Sequence, residues 1–337
     1  MSKPPIIEVK DLRIWYRLRE GDVKAVDKIE HLEIREGEIY GLVGESGCGK
    51  STFAFGLMRL VPPPGEIVSG KIYFRGENIL DLPEEEFRRY RWKNIAMVFQ
   101  AAMNSLNPVM TVGDQVAEAI MLHMRVSYEE ALEMVKELFR SVGLDPVRIK
   151  DYPHHLSGGM RQRVVIAMAI ALKPDLVILD EPTTALDVTI QAQILELLKT
   201  IIQKYKMSAL FITHDIALEA EFADRIGVMY AGEIVEEADV FGIFERPIHP
   251  YSKGLFASVP TVDRAKERKL VSIPGTPPDL IRPPQGCRFA PRCPYRKPIC
   301  EREHPEMRVV AGHRVRCHFA EELVDVPPEK LWAGYLY

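Results

Sequence analysis

Gly44, Glu45, Ser46, Gly47, Cys48, Gly49, Lys50 and Ser51 spell G-x-x-x-x-G-K-S. The pattern follows an apolar run, Ile39 to Val43, and precedes a stretch with helical character, Ser51 to Leu60. Strand, glycine-rich turn and helix start is the context in which successive backbone N–H groups curl around phosphate oxygens. In that arrangement Lys50 reaches the outer phosphates and the Ser51 hydroxyl is offered to Mg2+. Thr52 continues into the helix, whose positive end favours an anion. A loop of this kind needs a buried strand behind it and a helix packed on the sheet, so it commits the chain to an α/β layer.

The first 240 residues keep that alternation. Ile95 to Phe99, Leu176 to Leu179 and Ala209 to Thr213 are short apolar runs of the sort that fill buried parallel strands. The clearest helix starts at Ser127, where Ser127 and Glu130 form a capping box. Ala131, Leu132, Val135, Leu138, Phe139 and Val142 recur at helical spacing, and Gly143 stands where a C-terminal cap belongs. This helix falls in a predicted helical insert of about residues 101–173. A hairpin is expected over Val228 to Glu237, turning at Ala231 and Gly232.

A second acidic element follows the insert. In the run Asp175 to Glu181 the apolar strand Leu176 to Leu179 delivers Asp180 and Glu181 at its C-terminal end, where open α/β sheets bind ligands. Alone, a strand ending in acids is commonplace. Beside a phosphate loop, Asp180 reads as the residue that orients Mg2+ through water, and Glu181 as the one that polarises the water attacking the γ-phosphate.

Between the two elements lies Leu156, Ser157, Gly158, Gly159, Met160, Arg161, Gln162 and Arg163, and here the chain resembles the ATP-binding subunits of ABC transporters. Physically the motif is a helix N-terminus: Ser157 caps, two glycines follow, and the free N–H groups and dipole suit a phosphate. The resemblance implies that Ser157, Gly158 and Gly159 face the nucleotide held by an opposing subunit, so that two such domains close around two ATP molecules. It also implies a P-loop NTPase fold with antiparallel β and helical subdomains. Gln100 resembles the lid glutamine that touches Mg2+, and Asp187 the residue that couples the two sites. His214 resembles the switch histidine at the γ-phosphate, and Tyr16 the aromatic that stacks on adenine. Trp15 is the rival for that last role, since strand alternation should bury one of the pair and expose the other.

The resemblance continues beyond residue 240. His249 to Leu255, followed by Ser258, Val259 and Pro260, is similar to the extension carried by the oligopeptide, dipeptide and nickel branch of importers. The expected organisation is therefore an ATPase domain over residues 1–240 and an extension over 241–337. Expected partners are a second, related ATPase subunit, two transmembrane permease subunits and an extracytoplasmic solute-binding protein, with the chain peripheral on the cytoplasmic face of the membrane. One departure is Cys48, where that branch commonly has serine. A thiol beside Lys50 and a helix start is expected to have a lowered pKa and to be oxidisable.

Composition matters most in the extension. Nine of the 25 prolines fall between Pro274 and Pro305, which predicts an irregular segment. Four of the five cysteines, Cys287, Cys293, Cys300 and Cys317, are also there. Disulfides suit an oxidising compartment. Zinc favours tighter pairs than these, with His304, His313 and His318 as substitute ligands. A 4Fe-4S cluster needs four separated thiolates, which this spacing allows, and the resemblance supports that reading because several members of the branch carry one. The cluster would organise a tail that lacks a hydrophobic core of its own.

The charge is near balance, 44 basic against 48 acidic residues, a formal net of −4, which argues against binding nucleic acid by charge alone. No run of 18 apolar residues is present to span a membrane. Met1 to Lys10 lacks the apolar stretch of a secretory leader, so a cytoplasmic protein is expected. Two other classes compete: a soluble ABC-type ATPase acting on DNA or ribosomes, and a scaffold in which the cysteine segment is the working part. The first usually carries long coiled coils or a second cassette, and this chain shows no sustained heptads.

Overall fold

A computed structural model describes residues 4–258 and 272–335. The first part of the chain runs β1 (Pro5–Leu18), β2 (Gly21–Arg35), β3 (Ile39–Val43), α1 (Lys50–Leu57), β4 (Gly65–Phe74), β5 (Glu77–Asn78), α2 (Glu84–Phe87) and β6 (Ile95–Val98). Next come α3 (Val112–His123), α4 (Tyr128–Ser141), α5 (Gly158–Ile170), β7 (Leu176–Asp180), α6 (Val188–Tyr205) and β8 (Ser208–Ile212). The remainder is α7 (Ile216–Phe222), β9 (Arg225–Tyr230), β10 (Glu233–Asp239), α8 (Val240–Glu245), α9 (Pro250–Ala257), α10 (Pro298–Arg302), β11 (Met307–Val310), β12 (His313–Arg316), α11 (Ala320–Leu323) and α12 (Pro328–Leu331).

The contacts divide the chain into two compact units. The first comprises Met1–Glu8, Glu33–Ile39 and Tyr73–Ile212. Its framework is the parallel set β6, β7 and β8, in register Ile95↔Leu176 and Leu176↔Ser208. Every residue of the three strands is buried, which is why each reads as a mainly apolar run, Asp180 closing β7 and Ser208 opening β8. The insert helices belong to this unit. Helix α4 starts on the predicted capping box: Glu130 N–H donates to Ser127 Oγ at 3.2 Å, and Ser127 N–H to Glu130 Oε2 at 2.7 Å. It ends before Gly143, whose φ of +71° is the left-handed cap.

The second unit comprises Val9–Leu32, Tyr40–Ile72 and Thr213–Tyr337. In it β3 pairs parallel with β9, and β9 pairs antiparallel with β10 across the expected turn at Ala231 and Gly232. Both turn residues have positive φ, 48° and 86°, the mirror-image turn that suits the strand twist.

The extension is more ordered than its prolines predict. Proline is absent between Pro305 and Pro327, and in that window β11 and β12 form a second hairpin. Strand β12 adds to β10, with Glu236 opposite Val315. The extension shares one apolar core with the preceding cassette residues and has a second of its own. Trp332 and Phe289 are fully buried in a cluster with Val228, Tyr230, Tyr251 and Phe256, and Ile248 packs with Val310, Val315, Ala320 and Leu323. The expectation of a tail without a core is therefore corrected. Buried Glu236 ties the segment down further, accepting from the N–H groups of Ile248 and His249 at 2.8 and 2.9 Å and bonding His313 Nδ1 at 2.7 Å.

Candidate functional site

On the second unit, β3 delivers the loop 44–51 to the start of α1. Gly49 has a φ of +110°, and a Cβ there would lie 2.0 Å from the carbonyl oxygen of Ala25, so only glycine fits. Lys50 is buried, with Nζ donating to the carbonyls of Gly44 at 2.7 Å and Glu45 at 3.1 Å. These bonds fold the ammonium back over the loop that phosphate oxygens would fill. Tyr16 Oη lies 3.4 Å from Thr52 Oγ1, which places that ring beside the start of α1. Trp15 instead has Arg17 and Lys24 over its ring at 5.4 and 5.5 Å. Both aromatics are half-buried, so the alternation that should have hidden one and exposed the other does not hold.

Cys48 corrects a second expectation. Its thiol is 4% exposed, and burial pushes its pKa up although Lys50 Nζ is 3.6 Å away. Desolvation of a thiolate outweighs one nearby ammonium here, so the thiol is neutral and poorly reactive. His214 follows β8 and is exposed.

The acids lie on the first unit. Asp180 is buried at the end of β7, and Glu181 turns out of the strand in a left-handed conformation, φ +48°. Its Oε2 accepts from Gln100 Nε2 at 2.8 Å and from Thr184 Oγ1 at 2.9 Å, and its own N–H donates to Ile212 O at 2.9 Å. Glu181 is thus held by three neighbours before any ligand arrives. Ser157 caps α5, accepting from Met160 N–H at 3.3 Å. A Cβ on Gly159 would approach Ile190 Cγ2 to 2.8 Å, which explains the small residue at that helix start. Asp187 caps α6, accepting from Ile190 N–H at 3.0 Å.

In the extension, Cys287, Cys293, Cys300 and Cys317 all line one small cavity, together with His249, Phe289 and His318. All four are free thiols. Burial pushes Cys287 up to about 12 and Cys317 up to about 11, and raises Cys293, with the neighbouring thiols adding to each shift. Backbone N–H groups aim at three of the sulfurs, from Phe289 to Cys287, Tyr295 to Cys293 and Phe319 to Cys317. Two of the substitute histidines are engaged elsewhere: His304 bonds Glu233 at 2.9 Å and His313 bonds Glu236. Among the described residues no group of three or more His, Cys, Asp or Glu stands ready for a single metal ion.

Residues 28–184 match the ABC transporter family, and residues 235–300 match the C-terminal region of oligopeptide/dipeptide transporters. The dipeptide transport ATP-binding protein DppD of Caldanaerobacter subterraneus is 46% identical over 94% of this chain and 98% of its own. The oligopeptide transport ATP-binding protein OppD of Bacillus subtilis is 48% identical over 92% and 88%. The chain belongs to the ATP-binding subunits of ABC transporters. Its cassette is also like a solved dimer of the ATP-binding cassette MJ0796 bound to ADP and Pi, with a TM-score of 0.63 and 30% identity over 69% of this chain and 98% of that one.

Membership makes this ABC subunit an ATPase. Two contacts on the phosphate loop were invisible beforehand. Glu45 N–H donates to Tyr251 Oη at 2.9 Å, and the Glu45 carboxylate takes a bidentate pair from Arg292 at 2.7 and 2.9 Å. Tyr251 lies in the His249 to Leu255 motif, which was the available hint. Arg292 is one arginine in a basic stretch, with no local signal. Val259 and Pro260 of the expected motif lie outside the described residues.

Proposed function

We propose that this subunit energises peptide import. The observation carrying that reading is the full-length likeness to dipeptide and oligopeptide subunits, extension included. ATP phosphates would occupy the curl of Gly44, Glu45, Ser46, Gly47, Cys48, Gly49, Lys50, Ser51 and Thr52, with Tyr16 against the adenine. Ser51, Asp180 and Gln100 would hold Mg2+: a hydroxyl, a carboxylate and an amide oxygen are hard donors that suit it. Bound Mg2+ supplies charge neutralisation at the outer phosphates.

Glu181 would accept the proton of the attacking water, and Gln100 and Thr184 hold its carboxylate for that task. His214 would contact the γ-phosphate, and Ser157, Gly158, Gly159 and Asp187 would serve the nucleotide of an opposing, related subunit. An apolar groove on the insert, lined by Met110, Met121, Leu122 and Tyr128 with Asp114 and Glu118 at its rim, suits a cytoplasmic helix of a permease. In this reading the subunit would sit on the cytoplasmic face of the membrane, under two permease subunits fed by an extracytoplasmic binding protein. Co-expression should recover the subunit with two membrane permeases and give ATPase activity stimulated by peptide-loaded binding protein. Stimulation by DNA or ribosomes instead would favour the soluble ABC-type alternative.

The cysteine cavity fits a 4Fe-4S cluster. Four thiols lining one space, with N–H donors on three sulfurs, are what support that reading. Protein purified without oxygen should be brown, with about four irons per chain. Colourless protein holding one zinc would overturn this.

A further inference from the structure

The extension reaches the phosphate loop through two residues that the ATPase reading does not use. Arg292 is 8% exposed; its Nη1 and Nη2 span both carboxylate oxygens of Glu45, and its Nε donates to Pro274 O at 2.8 Å. Nη1 also reaches Tyr230 Oη at 3.3 Å, and the guanidinium lies over the Tyr230 and Phe289 rings at 5.8 and 6.0 Å. Tyr251, fully buried, meets the N–H of the same Glu45. Glu45 is therefore fixed at backbone and side chain alike by chain more than 200 residues away.

Its position makes this consequential. A carboxylate in a loop that must accept a triphosphate repels the ligand, and the repulsion grows with the ligand's charge. Lys50 bonds the Glu45 carbonyl, so any shift of Glu45 also moves the anchor of the phosphate-binding ammonium. We propose that Arg292 and Tyr251 are positioning residues for the phosphate loop: Arg292 cancels the Glu45 charge and Tyr251 sets its backbone, so ATP affinity depends on the folded extension. The bidentate fork is what an arginine, and not a lysine, supplies.

The inference rests on the loop being the ATP site, which wild-type binding checks separately. ATP and ADP dissociation constants are measured by calorimetry on the full chain for wild type, Arg292→Ala, Tyr251→Phe and Arg292→Ala/Glu45→Gln. Arg292→Ala should weaken ATP about 10-fold, about 1.4 kcal/mol, and ADP less, following ligand charge. The double variant should recover most of the loss, because no carboxylate remains to repel. Tyr251→Phe, which removes one hydroxyl and spares the fold, should weaken ATP about 3- to 5-fold. If Arg292→Ala does not fold, the Tyr251→Phe result decides. Wild type without ATP binding would overturn the loop assignment itself. Wild-type affinity in Arg292→Ala or in Tyr251→Phe, or an equal loss for ATP and ADP that Glu45→Gln does not rescue, would overturn the coupling alone.

Discussion

Lys50 and Cys48 are two residues apart and face opposite fates. The ammonium is buried with two carbonyl partners, a geometry that exchanges readily for phosphate oxygens of higher charge. Lys50→Ala should lose about 1.5–3 kcal/mol of ATP binding, about 10- to 150-fold, in the same calorimetry. The Cys48 thiol has no such exchange. Buried and held neutral, it should resist iodoacetamide at pH 7 in native protein and react fully once guanidinium exposes it, as peptide mass mapping would show. Rapid native labelling would contradict the burial.

Helix α9 shows what an element gains from its surroundings. His249 caps it, its Nδ1 accepting from Tyr251 N–H at 3.1 Å, and Pro250 occupies the first turn where no N–H is needed. Lys253, on the same helix, buries its chain and donates to Val326 O at 2.7 Å. Burial lowers its pKa to about 8, with Arg246 adding to the fall and Glu236, Asp325 and Glu329 opposing it. An unfolded lysine titrates near 10.4, so between there and pH 8 the unfolded chain holds a proton that the folded chain releases. The contribution of this group to stability is therefore complete above the upper value and lost as pH falls to 8. Raising pH from 8 to 10 should lift Tm through this group, and Lys253→Met should flatten that part of the profile in a thermal melt.

At the scale of the molecule, the signature helix start and the phosphate loop each present donors to an anion, and the proposed opposing subunit would bring the complementary halves together. Glu181→Gln should keep ATP binding while abolishing turnover, because the amide cannot take the proton of the attacking water. With hydrolysis blocked, ATP should hold the protein in a closed pair with its related partner subunit, seen in light scattering of the two together as a mass equal to their sum that falls when nucleotide is removed. A variant with full turnover would contradict the role given to Glu181.

The nucleotide motifs were legible because their information is local. The loop, the strand ending in Asp180 and Glu181, the Ser127 capping box and the Ala231–Gly232 turn each lie within a few residues, and the backbone conformations they need are set by residue type. The sequence also located the four cysteines and the Tyr251 motif without revealing what they meet. Only the tertiary structure decided that the thiols share one cavity, that Cys48 is buried against its local charge, and that Arg292 crosses 247 positions to neutralise Glu45. The physical reason is that burial and charge pairing depend on which distant chain returns to cover a group. No spacing rule carries that information.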